Sequence, residues 1–161
     1  MKNLKTLLEK PYGIIPRLLV AIVLVLAFVG FIDASYLSAK RLLGSPLNCY
    51  FFGGCDAVNA SPYSILFGVP LSLYGSVFYL LVVLFAVAYL QNSRPVFVWF
   101  LMALTAIGFL FSGYFIFLQQ FVIKAYCFYC VVSAVVSTSN FVLMLYGWKG
   151  YFTKPLPPDM I

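Results

Sequence analysis

Four long apolar runs, about Pro16–Leu37, Phe67–Leu90, Val96–Ile123 and Cys127–Trp148, dominate this 161-residue chain. Each is long enough to span a bilayer as a helix, since roughly 20 residues at about 1.5 Å rise cross the hydrocarbon. With 64% hydrophobic and 9% charged residues, the composition lies far from a soluble domain, whose apolar share is about half. The expected fold class is therefore all-α integral membrane: a four-transmembrane-helix bundle with a long exoplasmic loop between helices 1 and 2. The expected division is a cytoplasmic basic N-terminal segment (1–15), one four-helix membrane domain (16–148) and a cytoplasmic tail (149–161). The first run exceeds the 7–15 residues of a signal-peptide core and lacks a clean cleavage site, so it reads as a retained span.

Charge sets the expected orientation. Lys2, Lys5, Lys10, Arg17, Arg94, Lys149 and Lys154 collect on one side, and Lys40, Arg41 and Lys124 on the other. The positive-inside rule then puts both termini in the cytoplasm and the 48–62 loop outside. The net charge of +6 reads as a topology signal with some affinity for anionic lipid headgroups. The basic residues form no stripe, so nucleic acid is not an expected partner.

Four cysteines fall into two pairs, Cys49/Cys55 in the only long polar loop and Cys127/Cys130 at the start of the last run. Both pairs are expected at the exoplasmic face, where disulfides persist. Disulfide exchange needs a thiolate, a resolving thiol and access for a partner. A C-x2-C opening a helix offers the first thiol to free N–H groups and the positive end of the dipole. Cys127 takes that place, with Lys124 expected to lower its pKa further and Cys130 expected to be the more buried. Competing readings are a four-cysteine zinc site, two structural disulfides, or isolated small hydrophobes. The C-x5-C spacing is loose for zinc, and no metal site is expected.

The loop from Ser38 to Leu66 carries Gly44, Pro46, Gly53, Gly54 and Pro62, which predicts turns rather than a strand. Tyr50, Phe51, Phe52, Tyr63 and Phe67 suit the headgroup zone, so the loop is expected to lie on the bilayer as a lid. Asp33 reads equally as an intramembrane functional acid or a hydrated capping residue. Ser133, Ser137, Ser139 and Asn140 read as packing glue between helices, and Lys154–Ile161 as a disordered tail.

The stretch Cys55-Asp-Ala-Val-Asn-Ala-Ser61, the following Ser64-Ile-Leu-Phe-Gly-Val-Pro-Leu-Ser-Leu-Tyr-Gly75 and Tyr126-Cys-Phe-Tyr-Cys130 resemble the vitamin K epoxide reductase family, particularly its prokaryotic branch. The resemblance covers about residues 16–148. It implies a four-helix bundle around a quinone of ubiquinone, menaquinone or vitamin K type, in a prokaryotic cell membrane. By position, Cys49 would exchange with an exoplasmic thioredoxin-fold partner, Cys55 would relay to Cys127, and Cys130 would adjoin the quinone. Ser61, Phe67 and Ser133 are expected to line the quinone site with Cys130. The implied function is a membrane thiol-disulfide oxidoreductase that reoxidises its partner and passes electrons to the quinone, in disulfide bond formation. Many prokaryotic members carry a fused thioredoxin-like domain after a fifth helix; with the sequence ending at Ile161, the expected partner is a separate protein. The alternatives are reduction of vitamin K quinone or epoxide, and a non-enzymatic scaffold with structural disulfides. Ala134 stands where the animal enzymes have a Tyr, which counts against epoxide reduction.

Overall fold

The computed structural model describes residues 15–47, 49 and 53–153. The expectations for the N-terminal segment before Ile15, for Asn48, Tyr50, Phe51 and Phe52, and for the Lys154–Ile161 tail fall outside them. Among the described residues, four helices are long and apolar enough to cross a membrane. In chain order the elements are α1 (Arg17–Leu42), the short α2 (Cys55–Ala60), a 3-10 turn (Pro62–Ser64), β1 (Ile65–Leu66), β2 (Val69–Pro70), α3 (Leu71–Asn92), α4 (Pro95–Phe117) and α5 (Phe128–Thr153). The chain is an integral membrane protein.

Local chemistry explains where the helices begin and turn. Pro95 occupies the first turn of α4, where its missing N–H removes no intrahelical bond. Ser93 closes α3 in the left-handed conformation at φ +46°, and its N–H bonds back to Tyr89. The second run begins later than Phe67. Residues 65–70 form a minimal antiparallel hairpin, pairing Ile65 with Pro70 and Leu66 with Val69. Phe67 and Gly68 make its turn at φ +51° and +79°, the positive values a tight two-residue hairpin needs. The loop thus holds a short strand pair that its turn-rich composition did not suggest.

Buried positions of α1 recur as Val20, Val23, Ala27, Gly30, Ala34 and Leu37. This alternation of three and four is the seam of closely aligned packed helices. It meets Tyr79, Val82, Ala86 and Tyr89 of α3, Val98 and Leu101 of α4, and Val136 and Met144 of α5. Small residues set how near the helices come. A Cβ at Gly30 would lie 2.5 Å from the Tyr79 ring, so that ring crosses α1 only because the position is glycine. Its hydroxyl then reaches α5, donating to the Ser133 carbonyl at 2.8 Å, with Ser133 Oγ at 2.9 Å. At the opposite end Tyr89 donates to the Ile15 carbonyl at 3.1 Å. The outer surface remains apolar, with Leu18, Val25, Phe28, Leu84, Phe111 and Tyr146 exposed, as lipid contact requires.

Candidate active site

All four cysteines lie at one end of the bundle, in a cluster separate from the main core. Cys55 and Cys127 are each 1% exposed and pack with Leu37 and Leu47, while Cys49, Cys130, Val58, Phe128 and Tyr129 close around them. Cys49 and Cys55 are joined by a disulfide, and Cys127 and Cys130 are free thiols. The same end carries Lys40, Arg41 and Lys124, whereas Arg17, Arg94 and Lys149 lie at helix ends on the other side.

A cap between α1 and α3 holds the first pair. Leu47 N–H donates to Asp56 Oδ1 at 3.0 Å, and the Arg41 guanidinium donates to the Asn59 carbonyl. Ser64 Oγ donates to the carbonyls of Asn59 at 2.6 Å and Ser61 at 2.7 Å, and Ser61 Oγ to that of Val58 at 2.7 Å. The cap seats directly on the strand of chain before α5. A Cβ at Gly54 would lie 2.8 Å from the Tyr126 carbonyl oxygen and 2.9 Å from Ala125 Cβ. Gly54 is therefore required by close approach, which brings the adjoining Cys55 down beside Cys127.

The second pair is held by helix ends. Cys127 caps α5, its carbonyl accepting from Val131 N–H at 3.1 Å. Behind it, α4 runs on as a π-helical turn, Leu118–Ile123, and Lys124 reverses the chain at φ +55°. Gln119 in that turn is 2% exposed and fastens the connection twice. Its Oε1 accepts the Cys127 N–H at 2.9 Å, and its carbonyl accepts the N–H groups of Lys124 and of Ala125, the latter at 3.2 Å. π-turns are frequent at functional sites, but no sequence signal marked Gln119; it is an amide inside an apolar run. On the other flank the Tyr129 ring packs on Tyr36 of α1 with centroids 5.3 Å apart.

The Cys127 thiol is held below its ordinary pKa. The chief cause is a hydrogen bond from the Cys130 thiol, helped by the Cys130 and Tyr129 N–H groups and opposed by burial and the Asp33 charge. Lys124, expected to supply this effect, is not among the causes. Cys127 is covered, whereas Cys130 keeps an accessible face where it borders the cavity between the helices. Both thiols border a cavity of about 370 Å³ between the helices.

Ser61 and Ser133 line that cavity along with Cys130, but Phe67 does not. Phe67 stands at the hairpin tip, 93% exposed, because the tight turn carries it away from the bundle. Its expected place at the site is therefore corrected. Residues not anticipated there are Gln119, Tyr79, Phe78 and Ser137. The walls are chiefly apolar and aromatic, and two buried oxygens, Asp33 Oδ2 and Ser137 Oγ, have no hydrogen-bond partner among the described residues. Pockets of a few hundred Å³ with few convergent polar groups are typical small-ligand sites.

The family model for the Vitamin K epoxide reductase family matches residues 21–145. Among curated proteins, the Thiol-disulfide oxidoreductase LTO1 of Arabidopsis thaliana is 31% identical over 120 residues, covering 70% of this chain and 32% of that protein. The chain therefore matches about a third of that relative's length. With the helices, the two cysteine pairs and the cavity in place, the match over most of the sequence shows that this chain belongs to the vitamin K epoxide reductase family.

Proposed function

We propose that residues 16–148 form a membrane thiol-disulfide oxidoreductase that moves two electrons from an external thioredoxin-fold dithiol, through both cysteine pairs, to a membrane quinone. The burial of Cys55 against Cys127 beside the cavity is the observation that carries this reading. A partner thiolate attacks Cys49, breaks the Cys49–Cys55 bond and releases the Cys55 thiolate. The partner's second thiol then displaces Cys49, leaving the partner oxidised and the lid pair reduced. When Cys127 and Cys130 are bonded, the Cys55 thiolate attacks Cys127 and releases Cys130, and Cys49 resolves the mixed disulfide.

A quinone headgroup suits the cavity, whose aromatic walls offer stacking and whose unpartnered Asp33 and Ser137 oxygens offer polar contacts. When bound, it supplies the acceptor for two electrons and two protons. Cys130, Ser133 and Ser61 would border it. The protein itself positions the thiols and, through the Cys130 hydrogen bond, eases ionisation of Cys127. Lys40, Arg41 and Lys124 at the cysteine end, against Arg17, Arg94 and Lys149 opposite, support a cytoplasmic side for both termini and an exoplasmic site.

Quinone reduction driven by a reduced thioredoxin-fold protein tests the reading. Cys130→Ala should abolish it while leaving Cys49–Cys55 reducible. Full activity in that variant removes Cys130 from the path.

A further inference from the structure

Closing a disulfide between Cys127 and Cys130 releases two protons with two electrons, and these protons must leave by way of the cavity that both thiols border. The cavity offers few carriers. Apart from the two thiols, its titratable groups are Asp33 of α1 and the phenols of Tyr63, Tyr74, Tyr79 and Tyr129. Among the described residues no Lys, Arg or Glu lines it, and the chain has no His. Phenols ordinarily hold their protons to about pH 10. The Tyr79 hydroxyl is in addition engaged by Ser133 of α5. Asp33 is the remaining titratable group on the cavity wall.

Its placement suits that task. Asp33 lies one turn beyond Gly30, where the Tyr79 ring crosses α1, and borders the cavity with both thiols. Its Oδ2 is buried and has no hydrogen-bond partner among the described residues, so a lone pair is open to a proton. Asp33 is also close enough to oppose ionisation of Cys127.

We propose that Asp33 is the proton carrier of the cavity, receiving a thiol proton as Cys127 and Cys130 close and delivering it to the electron acceptor. The balance is simple. Two S–H bonds break, one S–S bond forms, and two electrons and two protons leave the dithiol for the quinone. One of those protons passes through the Asp33 carboxyl, which ends as it began. The inference rests on the quinone path proposed above and adds a catalytic residue to it.

The test mixes dithiol protein in detergent with a soluble short-chain quinone and follows a single turnover. Asp33→Asn should slow this step by about 10²–10⁴-fold, the usual range for losing a general acid or base. Asp33→Glu, which keeps a carboxyl, should recover most of the rate. Reduction of Cys49–Cys55 by dithiothreitol should be unchanged in both. A second readout needs no quinone: the midpoint pH for alkylation of Cys127 should fall in Asp33→Asn, because the opposing charge is gone. An Asp33→Asn variant with the wild-type rate and alkylation profile overturns the role of Asp33 alone. A wild-type protein that reduces no quinone overturns the electron path itself, and the carrier role with it.

Discussion

The two cysteine pairs sit in one cluster but are held by different means. Cys127 and Cys130 open a long helix whose entrance is fastened twice by Gln119 and flanked by the Tyr36–Tyr129 contact. Cys49 and Cys55 are separated by six positions in a cap held by side-chain hydrogen bonds that involve Arg41, Asp56 and Ser64. A thiol that must meet both a soluble partner and an inner thiol benefits from a support that can be lifted. A thiol that must meet an acceptor in a fixed cavity benefits from a rigid one. The contrast teaches that the end of one bundle can serve two reaction environments through differences in anchoring.

Several substitutions would break or sharpen this contrast. Gly54→Val should do the most, because overpacking of about 1–3 kcal/mol against Tyr126 and Ala125 lifts the cap. Electron transfer from Cys55 to Cys127 should fall by about tenfold to hundredfold. Reduction of Cys49–Cys55 by a soluble thiol should stay the same or quicken. If transfer is unchanged, the close seating of the cap does not matter.

Gln119→Leu should come next. It leaves the buried Cys127 N–H without an acceptor, at a cost of about 1–3 kcal/mol. Thermal unfolding should begin at a lower temperature, and transfer into Cys127 should slow, while Gln119→Glu keeps an acceptor and should lose less. A smaller effect concerns pH. A thiol held below its ordinary pKa stays ionised to lower pH, and Cys130 is the chief cause for Cys127. In Cys130→Ala the alkylation midpoint of Cys127 should therefore move up, and an unmoved midpoint would leave the helix N–H groups as the sole cause. The smallest effect belongs to Phe67→Ala, which should leave the KM for quinone unchanged because the ring stands outside the cavity.

Hydropathy alone located the four spans, because length and apolarity are what a bilayer selects. The ends were less legible. Pro70 and Pro95 mark where α3 and α4 begin, but two-residue strands such as β1 and β2 carry too little pattern to stand out. That is why hydropathy alone groups Phe67 with the helix. Gln119 was hidden for another reason: its partners are backbone N–H groups of the next turn, and no spacing of side chains encodes them. The sequence likewise points to the nearby Lys124 as the cause of the lowered Cys127 pKa, whereas short-range hydrogen bonds from Cys130 and the helix entrance supply it.

The hand-off between pairs can be tested without any electron acceptor. In a Cys49→Ala/Cys130→Ala double variant, mild oxidation leaves Cys55 and Cys127 as the available thiols. The account predicts a near-complete intramolecular Cys55–Cys127 bond, read by mass spectrometry as the loss of two hydrogens and a peptide cross-link. Two thiols that stay free, or that pair only between molecules, would contradict it.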